Sequence, residues 1–250
     1  MEPLLVAEGI SKTYDEVEAL KRLDLQVYGG EVVGLLGPNG AGKTTSLRIL
    51  AGILSPTSGH STICGYDALR DPMSIKKRLG FLSGDTRLYK RLTPREILKF
   101  FGSLHEMPKD LIKEHSAQLI EELDMGDFAD RQCGTLSSGQ QQKANIARTL
   151  LHDPPVLILD EPTTALDVVT GKFILDAVRR AKADQRAVLF STHIMGEAEF
   201  LCDRIVMIHK GCVQAEGTVS ELLELTGQPN LTEAFLALVE GRAACAGTSP

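Results

Sequence analysis

Three stretches of this sequence predict an α/β fold built around a phosphate-binding loop. The first is the apolar run Glu31-Val32-Val33-Gly34-Leu35-Leu36, then Gly37-Pro38-Asn39-Gly40-Ala41-Gly42-Lys43-Thr44, then Thr45-Ser46-Leu47-Arg48-Ile49-Leu50-Ala51 with apolar residues at helical spacing. The second is Val156-Leu157-Ile158-Leu159 ahead of Asp160-Glu161, four consecutive apolar residues as in a parallel strand buried on both faces. The third is the region 86–152 between them, which reads as helices uninterrupted by any strand pattern. Together they describe an α/β core with a helical lobe inserted in it.

Residues 37–44 match G-x-x-x-x-G-K-[ST] in full. Glycines let the backbone curl until successive N–H groups aim at one anion, and the helix that follows adds its positive end. Lys43 can then reach the outer phosphates of a nucleotide, and the Thr44 hydroxyl can bind Mg²⁺. Such a loop says that a nucleotide binds. It does not say which work the nucleotide drives.

Composition narrows the class. The chain has 250 residues, 43% of them hydrophobic and 24% charged, which suits a soluble globular domain with an added lobe. No apolar run approaches the length of about 18 residues that a membrane helix needs. Met1-Glu2-Pro3-Leu4-Leu5 lacks the basic and apolar regions of a secretory signal. Cys64, Cys133, Cys202, Cys212 and Cys245 are scattered without C-x-x-C spacing, so reduced thiols in a cytosolic protein are expected. A net charge of −6 argues against nucleic acid as a partner held by a broad basic surface.

In chain order, residues 4–10 and 23–28 read as strands of an N-terminal antiparallel β subdomain, with Ser11-Lys12-Thr13-Tyr14 between them. A turn at 55–59, a strand at 60–65, a helix at 68–79 and a strand at 79–83 follow. Thr93-Pro94-Arg95-Glu96 joins a capping box to proline at the first helical position, which starts a helix over 94–105. Helices are expected at 109–123 and 139–151, and after the 156–161 strand a helix at 170–183, a strand at 187–191 and a helix at 195–201. Lys210-Gly211 between 204–208 and 212–215 reads as a hairpin, followed by short helices at 218–225 and 231–239. The predicted organisation is one domain over 1–240, with core segments 1–85 and 153–217, the lobe 86–152, C-terminal helices 218–240 and a disordered tail 241–250.

Two further segments carry chemistry. Asp160 at the end of a buried strand can hold Mg²⁺ beside the loop phosphates, and Glu161 can orient or deprotonate a water. Leu136-Ser137-Ser138-Gly139-Gln140 opens a helix with small residues, a second anion site with no phosphate of its own chain near it in sequence. That makes sense if two copies meet head to tail, each lending this segment to the other's nucleotide.

With these residues in family order, the sequence resembles the ATP-binding subunits of ABC transporters over nearly its whole length. Tyr14 resembles the adenine-stacking aromatic, residues 37–44 the Walker A loop, 136–140 the LSGGQ signature, 156–161 Walker B with its catalytic glutamate, Ala165-Leu166-Asp167 the D-loop, and His193 the switch histidine. The resemblance implies a P-loop NTPase core of the ABC ATPase type that binds and hydrolyses ATP with Mg²⁺. By the same resemblance the nucleotide contacts are Tyr14, Gly37, Pro38, Asn39, Gly40, Ala41, Gly42, Lys43, Thr44, Thr45, Ser137, Gly139, Gln140 and Asp167. Thr44 and Asp160 would hold the metal, and Glu161, His193 and Lys43 would serve the reaction. It also implies a second ATP-binding subunit, an integral membrane permease as partner, and a cytoplasmic position at the inner face of the cell membrane through that permease.

Two positions depart from the family pattern. Ser138 stands where the signature has glycine, and Gly84 stands where the family's Q-loop has its glutamine. Water, or Asp85 through water, is expected to take the glutamine's place. Gly84, the segment 92–97 and the segment 231–236 resemble the Nat-type subfamily, associated with sodium or drug export. A soluble ABC ATPase acting on ribosomes or DNA is the alternative, disfavoured by a single cassette, no heptads and an acidic balance. A P-loop kinase or GTPase would leave Ser137 and His193 without a role, and no N-K-x-D motif is present.

Overall fold

The computed structural model describes residues 2–84 and 86–241. The chain begins with a long hairpin, β1 (Leu5–Tyr14) against β2 (Val17–Val27), antiparallel across a turn at Asp15 and Glu16. The segment 11–14, expected between strands, is therefore the end of β1. Its polar residues disguised it, and three register shifts in the β1–β2 ladder break the simple alternation a sequence reading needs.

β3 (Val32–Leu36) leads through the loop into α1 (Lys43–Leu50), followed by β4 (Ser58–Ile63), β5 (Tyr66–Asp67), α2 (Pro72–Arg78) and β6 (Leu79–Leu82). Three helices come next: α3 (Pro94–Leu104), α4 (Lys109–Glu122) and α5 (Ser138–Leu150), the last preceded by a 3₁₀ turn at Cys133–Thr135. The chain re-enters the sheet at β7 (Val156–Asp160) and continues through α6 (Val168–Ala183), β8 (Ala187–Thr192) and α7 (Met195–Leu201). β9 (Arg204–His209) and β10 (Cys212–Gly217) form the expected hairpin, turning on Lys210 and Gly211, both at positive φ. α8 (Val219–Thr226) and α9 (Leu231–Gly241) close the described chain. The tail expected to be disordered starts one residue too early, since Gly241 ends α9; its other residues lie outside the described ones.

The ten strands among the described residues join one sheet in the order β5-β4-β1-β2-β10-β9-β3-β8-β7-β6. The segment β9-β3-β8-β7-β6 is parallel throughout, so the C-terminal ends of these strands share one edge. Ligands of open α/β sheets bind along that edge. Both faces are covered, which explains the unbroken apolar runs. Leu157, Leu159, Val188 and Phe190 turn to the core shared with α3–α6, while Ile158 and Leu189 turn to the core shared with α1 and the N-terminal hairpin. A third core packs α8 and α9 on Leu36, Ile205 and Met207.

Arg204 ties the two parts of the sheet together. Its guanidinium donates to Glu31 Oε1 (3.0 Å) and to the Gln26 carbonyl (2.6 Å), and pairs with Glu216. Cys64, Cys133 and Cys202 carry free thiols, and Cys245 lies outside the described residues.

The capping box predicted for α3 is formed. Thr93 Oγ1 accepts from the Glu96 N–H (3.2 Å), and Glu96 Oε2 accepts from the Thr93 N–H (2.9 Å). Thr93→Ala is expected to lower unfolding free energy by about 1 kcal/mol, and Thr93→Ser to change it little, as measured by chemical denaturation.

Candidate active site

Residues 37–42 run between the end of β3 and the start of α1, and their path is too tight for side chains at two glycines. A Cβ on Gly37 would lie 2.2 Å from the Ile208 carbonyl oxygen. Gly42, at φ +107, would bring one to 2.6 Å from the Ala19 carbonyl oxygen. The loop is thus held between β2, β9 and the β9–β10 turn, whose Gly211 N–H donates to the Ala41 carbonyl (2.9 Å). Pro38, Asn39 and Gly40 form the outer arc, with Gly40 at φ +79. Thr44 and Thr45 follow Lys43 in the first turn of α1.

Lys43 is 4% exposed, and its ammonium is fully engaged. It donates to the carbonyls of Gly37 (2.8 Å) and Pro38 (3.1 Å) and lies 3.0 Å from Glu161 Oε1. Three donors thus meet three acceptors. The other Glu161 oxygen, Oε2, accepts from Thr164 Oγ1 (3.1 Å) and lies 3.2 Å from His193 Nδ1. Burial pushes the Glu161 carboxyl up, but the bonded Lys43 ammonium, with help from Thr164 and His193, outweighs it and holds the group below the usual glutamate range. The parallel sheet makes this meeting possible. Lys43 follows β3, Glu161 follows β7 and His193 follows β8, three neighbouring strands ending on one edge.

Glu161 has φ +47, a left-handed conformation that costs a non-glycine residue about 1–3 kcal/mol and persists where neighbours enforce it. Its N–H donates to both the carbonyl (3.2 Å) and the hydroxyl (3.0 Å) of Ser191. The same hydroxyl donates to Asp160 Oδ1 at 2.6 Å, deep in the core, where Asp160 is 3% exposed.

The residues present suit Mg²⁺. Thr44 and Asp160 offer hard oxygen donors, and this ion usually takes one or two protein ligands together with phosphate oxygens and water. Among the described residues no cluster of three or more His, Cys, Asp or Glu forms a self-contained metal cage. A metal here would therefore need the nucleotide to complete its shell.

Other sequence-predicted residues sit elsewhere. Ser137 caps α5 in a capping box with Gln140 (Gln140 N–H to Ser137 Oγ, 3.2 Å), so its hydroxyl already serves its own helix. Gly139 is buried against Thr170, where an added Cβ would meet the side chain at 3.0 Å. Asp167 caps α6, accepting from the N–H groups of Val169 and Thr170 and from the Thr170 hydroxyl; those bonds lower its pKa. No hydrogen bond or ion pair joins residues 137–140 to 37–44 among the described residues. Tyr14 is 45% exposed at the end of β1, with Lys12 Nζ 5.1 Å from its ring centre. Gly84 needs no glycine sterically, since an added Cβ would meet only the Asp160 carbonyl at 3.5 Å, an ordinary contact. Asp85 lies outside the described residues.

The motif arrangement agrees with the comparisons. A family model described as "ABC transporter" matches residues 20–164. The chain belongs to the ABC transporter ATP-binding family. NatA, an ABC transporter ATP-binding protein of Bacillus subtilis (strain 168), is 40% identical over 90% of this chain and 92% of its own length. The doxorubicin resistance ATP-binding protein DrrA of Mycobacterium tuberculosis (strain ATCC 25618 / H37Rv) is 36% identical over 89% of this chain and 68% of its own. A solved ATP-binding subunit of an ABC transporter superposes with a TM-score of 0.87 at 29% identity, over 94% of this chain and 99% of that one. The cassette MJ0796, solved as a dimer in a post-hydrolysis state with ADP and Pi, gives 0.77 at 28% identity, over 86% and 98%. The ABC subunit is thus an α/β nucleotide-binding cassette, as its motifs implied. Among its described residues no helix is long and apolar enough to cross a membrane.

Reading by motif missed three residues of this ABC site. Ser191 ends the strand predicted over 187–191, and a hydroxyl after four apolar residues is a usable signal. Thr164 carries no signal beyond its closeness to Glu161. Gln142 Nε2 donates to the Pro162 carbonyl (2.6 Å), fastening α5 to the turn after Glu161, and its sequence neighbours gave no hint of that.

Gly37→Ala is expected to weaken ATP binding by at least about tenfold, because the β9 backbone cannot yield to the new Cβ. Gly40→Ala, with nothing within 4 Å of the added atom, is expected to cost only the left-handed strain of about 1–2 kcal/mol. Titration with a fluorescent ATP analogue and thermal melting separate the two effects.

Proposed function

We propose that this chain binds and hydrolyses Mg·ATP as one half of a dimeric motor that drives a separate membrane permease. The carrying observation is the continuous chain Lys43–Glu161–His193, with contacts of 3.0 and 3.2 Å, where three strands end together. Loop N–H groups and Lys43 would bind the phosphates and offset the charge that develops on the transferred phosphoryl group. Thr44 and Asp160 would hold Mg²⁺, which when bound offsets phosphate charge. Glu161 would accept a proton from the attacking water, and His193 would sense the terminal phosphate through the Glu161 carboxylate it already touches.

An arriving triphosphate competes with Glu161 for Lys43. Anion binding therefore releases the carboxylate for its work on water. The exposed Ser137 and the N-terminus of α5 would serve the nucleotide of a second copy, as the dimeric relative supports. Tyr14 would stack on adenine, and Asp167 would lie at the junction between copies. The division proposed for one chain is the sheet-bearing core, the lobe over 86–152 and the C-terminal helices.

We place the permease contact at a cleft of about 480 Å³ between α2, α3 and α5, lined by Ile53, Met73, Phe81, Thr86 and Leu104. Phe81 and Thr86 stand on either side of Gly84 in sequence, and Phe81 lies on β6, which pairs with β7, the strand that ends at Asp160, so this cleft adjoins the strand of Asp160. The names of the daunorubicin and doxorubicin resistance ATP-binding proteins support an exporter of small amphipathic compounds; sodium, the other cargo proposed, rests on the resemblance of Gly84 and of the segments 92–97 and 231–236 to the Nat-type subfamily.

Glu161→Gln is expected to keep ATP binding, to lose at least about a hundredfold in turnover, and to elute as an ATP-dependent dimer in size-exclusion chromatography. Wild-type turnover in that variant would overturn the assignment.

A further inference from the structure

We infer that Ser191 is a positioning residue for hydrolysis, its one hydroxyl orienting both Asp160 and Glu161. The inference rests on the roles proposed above for those two carboxylates. Ser191 ends the apolar run of β8 and is fully buried. Its Oγ donates to Asp160 Oδ1 at 2.6 Å and accepts from the Glu161 N–H at 3.0 Å. A hydroxyl has one proton to give, and here it goes to the carboxylate, leaving a lone pair for the amide. Both roles of Oγ are therefore fixed, and the bond to the charged oxygen is short, as charge-assisted bonds are.

The consequences differ for the two neighbours. Asp160 has one oxygen engaged by Ser191, which sets the rotation of the carboxylate and so the direction in which its second oxygen can meet a metal. Glu161 depends on Ser191 for its left-handed backbone, because that N–H has both of its acceptors on this one residue. In that backbone conformation the Glu161 side chain reaches Lys43 and His193. Ser191 is 0% exposed and would act through the two residues it holds, Asp160 and Glu161.

A hydroxyl that merely satisfied a buried carboxylate would affect stability alone. A positioning hydroxyl also changes metal affinity and turnover in a protein that remains folded. Threonine and valine at 191 are nearly equal in shape and differ in the hydroxyl, so the pair Ser191→Thr and Ser191→Val isolates it. The full chain is used, with Mn²⁺ as the metal probe, followed by electron paramagnetic resonance in the presence of ADP. Steady-state ATP hydrolysis and metal-free ATP binding are measured beside it.

Ser191→Val is expected to lose about 10–100-fold in Mn²⁺ affinity or in kcat relative to Ser191→Thr, with metal-free ATP binding unchanged. Equal Mn²⁺ affinity and equal kcat in the two variants would overturn the inference. If the added methyl group unfolds both, Ser191→Ala against the unaltered chain gives the same comparison, and full retention of Mn²⁺ affinity and kcat contradicts the role. Glu161→Gln serves as the control. Should it hydrolyse ATP at the wild-type rate, the general-base reading beneath the inference fails; should it be inactive while the valine and threonine variants agree, only the role of Ser191 fails.

Discussion

The ion pair between Lys43 and Glu161 joins the loop after β3 to the turn after β7, and the surrounding architecture serves to bring its members together. The lysine is 4% exposed and the glutamate side chain 19%, so both charges have given up most of their water. Removing one partner from such a pair typically costs about 3–5 kcal/mol, because the other charge is left buried without compensation. A polyphosphate would supply replacement compensation for Lys43, and Thr164 and His193 lie beside Glu161, where they would hold the freed carboxylate. Phosphate arrival and carboxylate release would then form a single exchange of partners.

The fold makes that exchange local. Parallel pairing of β3, β8 and β7 lines up the loop, the 160–161 turn and His193 on one edge, while Gly37 and Gly42 let the loop pass against β9 and β2 without a clash. The helical lobe is fastened to the same edge by Gln142 on the Pro162 carbonyl and by Gly139 on Thr170, which Asp167 caps. The helix whose start would serve a second copy is therefore fastened to the turn after Glu161.

Much of this was legible from sequence because it rests on strong local rules. The glycine pattern of 37–44, the doubly buried strand 156–159 and the Thr93–Glu96 capping box each have one dominant physical reading, and each stands where it was expected. The polar end of β1 was not legible, since bulges displace the alternation that marks a half-buried strand. Ser191 was hidden for another reason. Its partners lie about 30 residues away, and only strand pairing between β7 and β8 places them together. The Gln142 anchor likewise belongs to tertiary structure. The departure at Gly84 was visible at once, and the structure shows that it is not imposed by backbone crowding.

The exchange of partners at Lys43 is tested most directly by calorimetric affinity without metal, for the unaltered chain and for Glu161→Gln, with ATP and with AMP. If the carboxylate competes with phosphate for the ammonium, the glutamine variant binds ATP more tightly than the unaltered chain. AMP, whose single phosphate does not extend to the outer positions that Lys43 serves, then shows no such difference. Equal or weaker ATP binding by the variant would contradict the account.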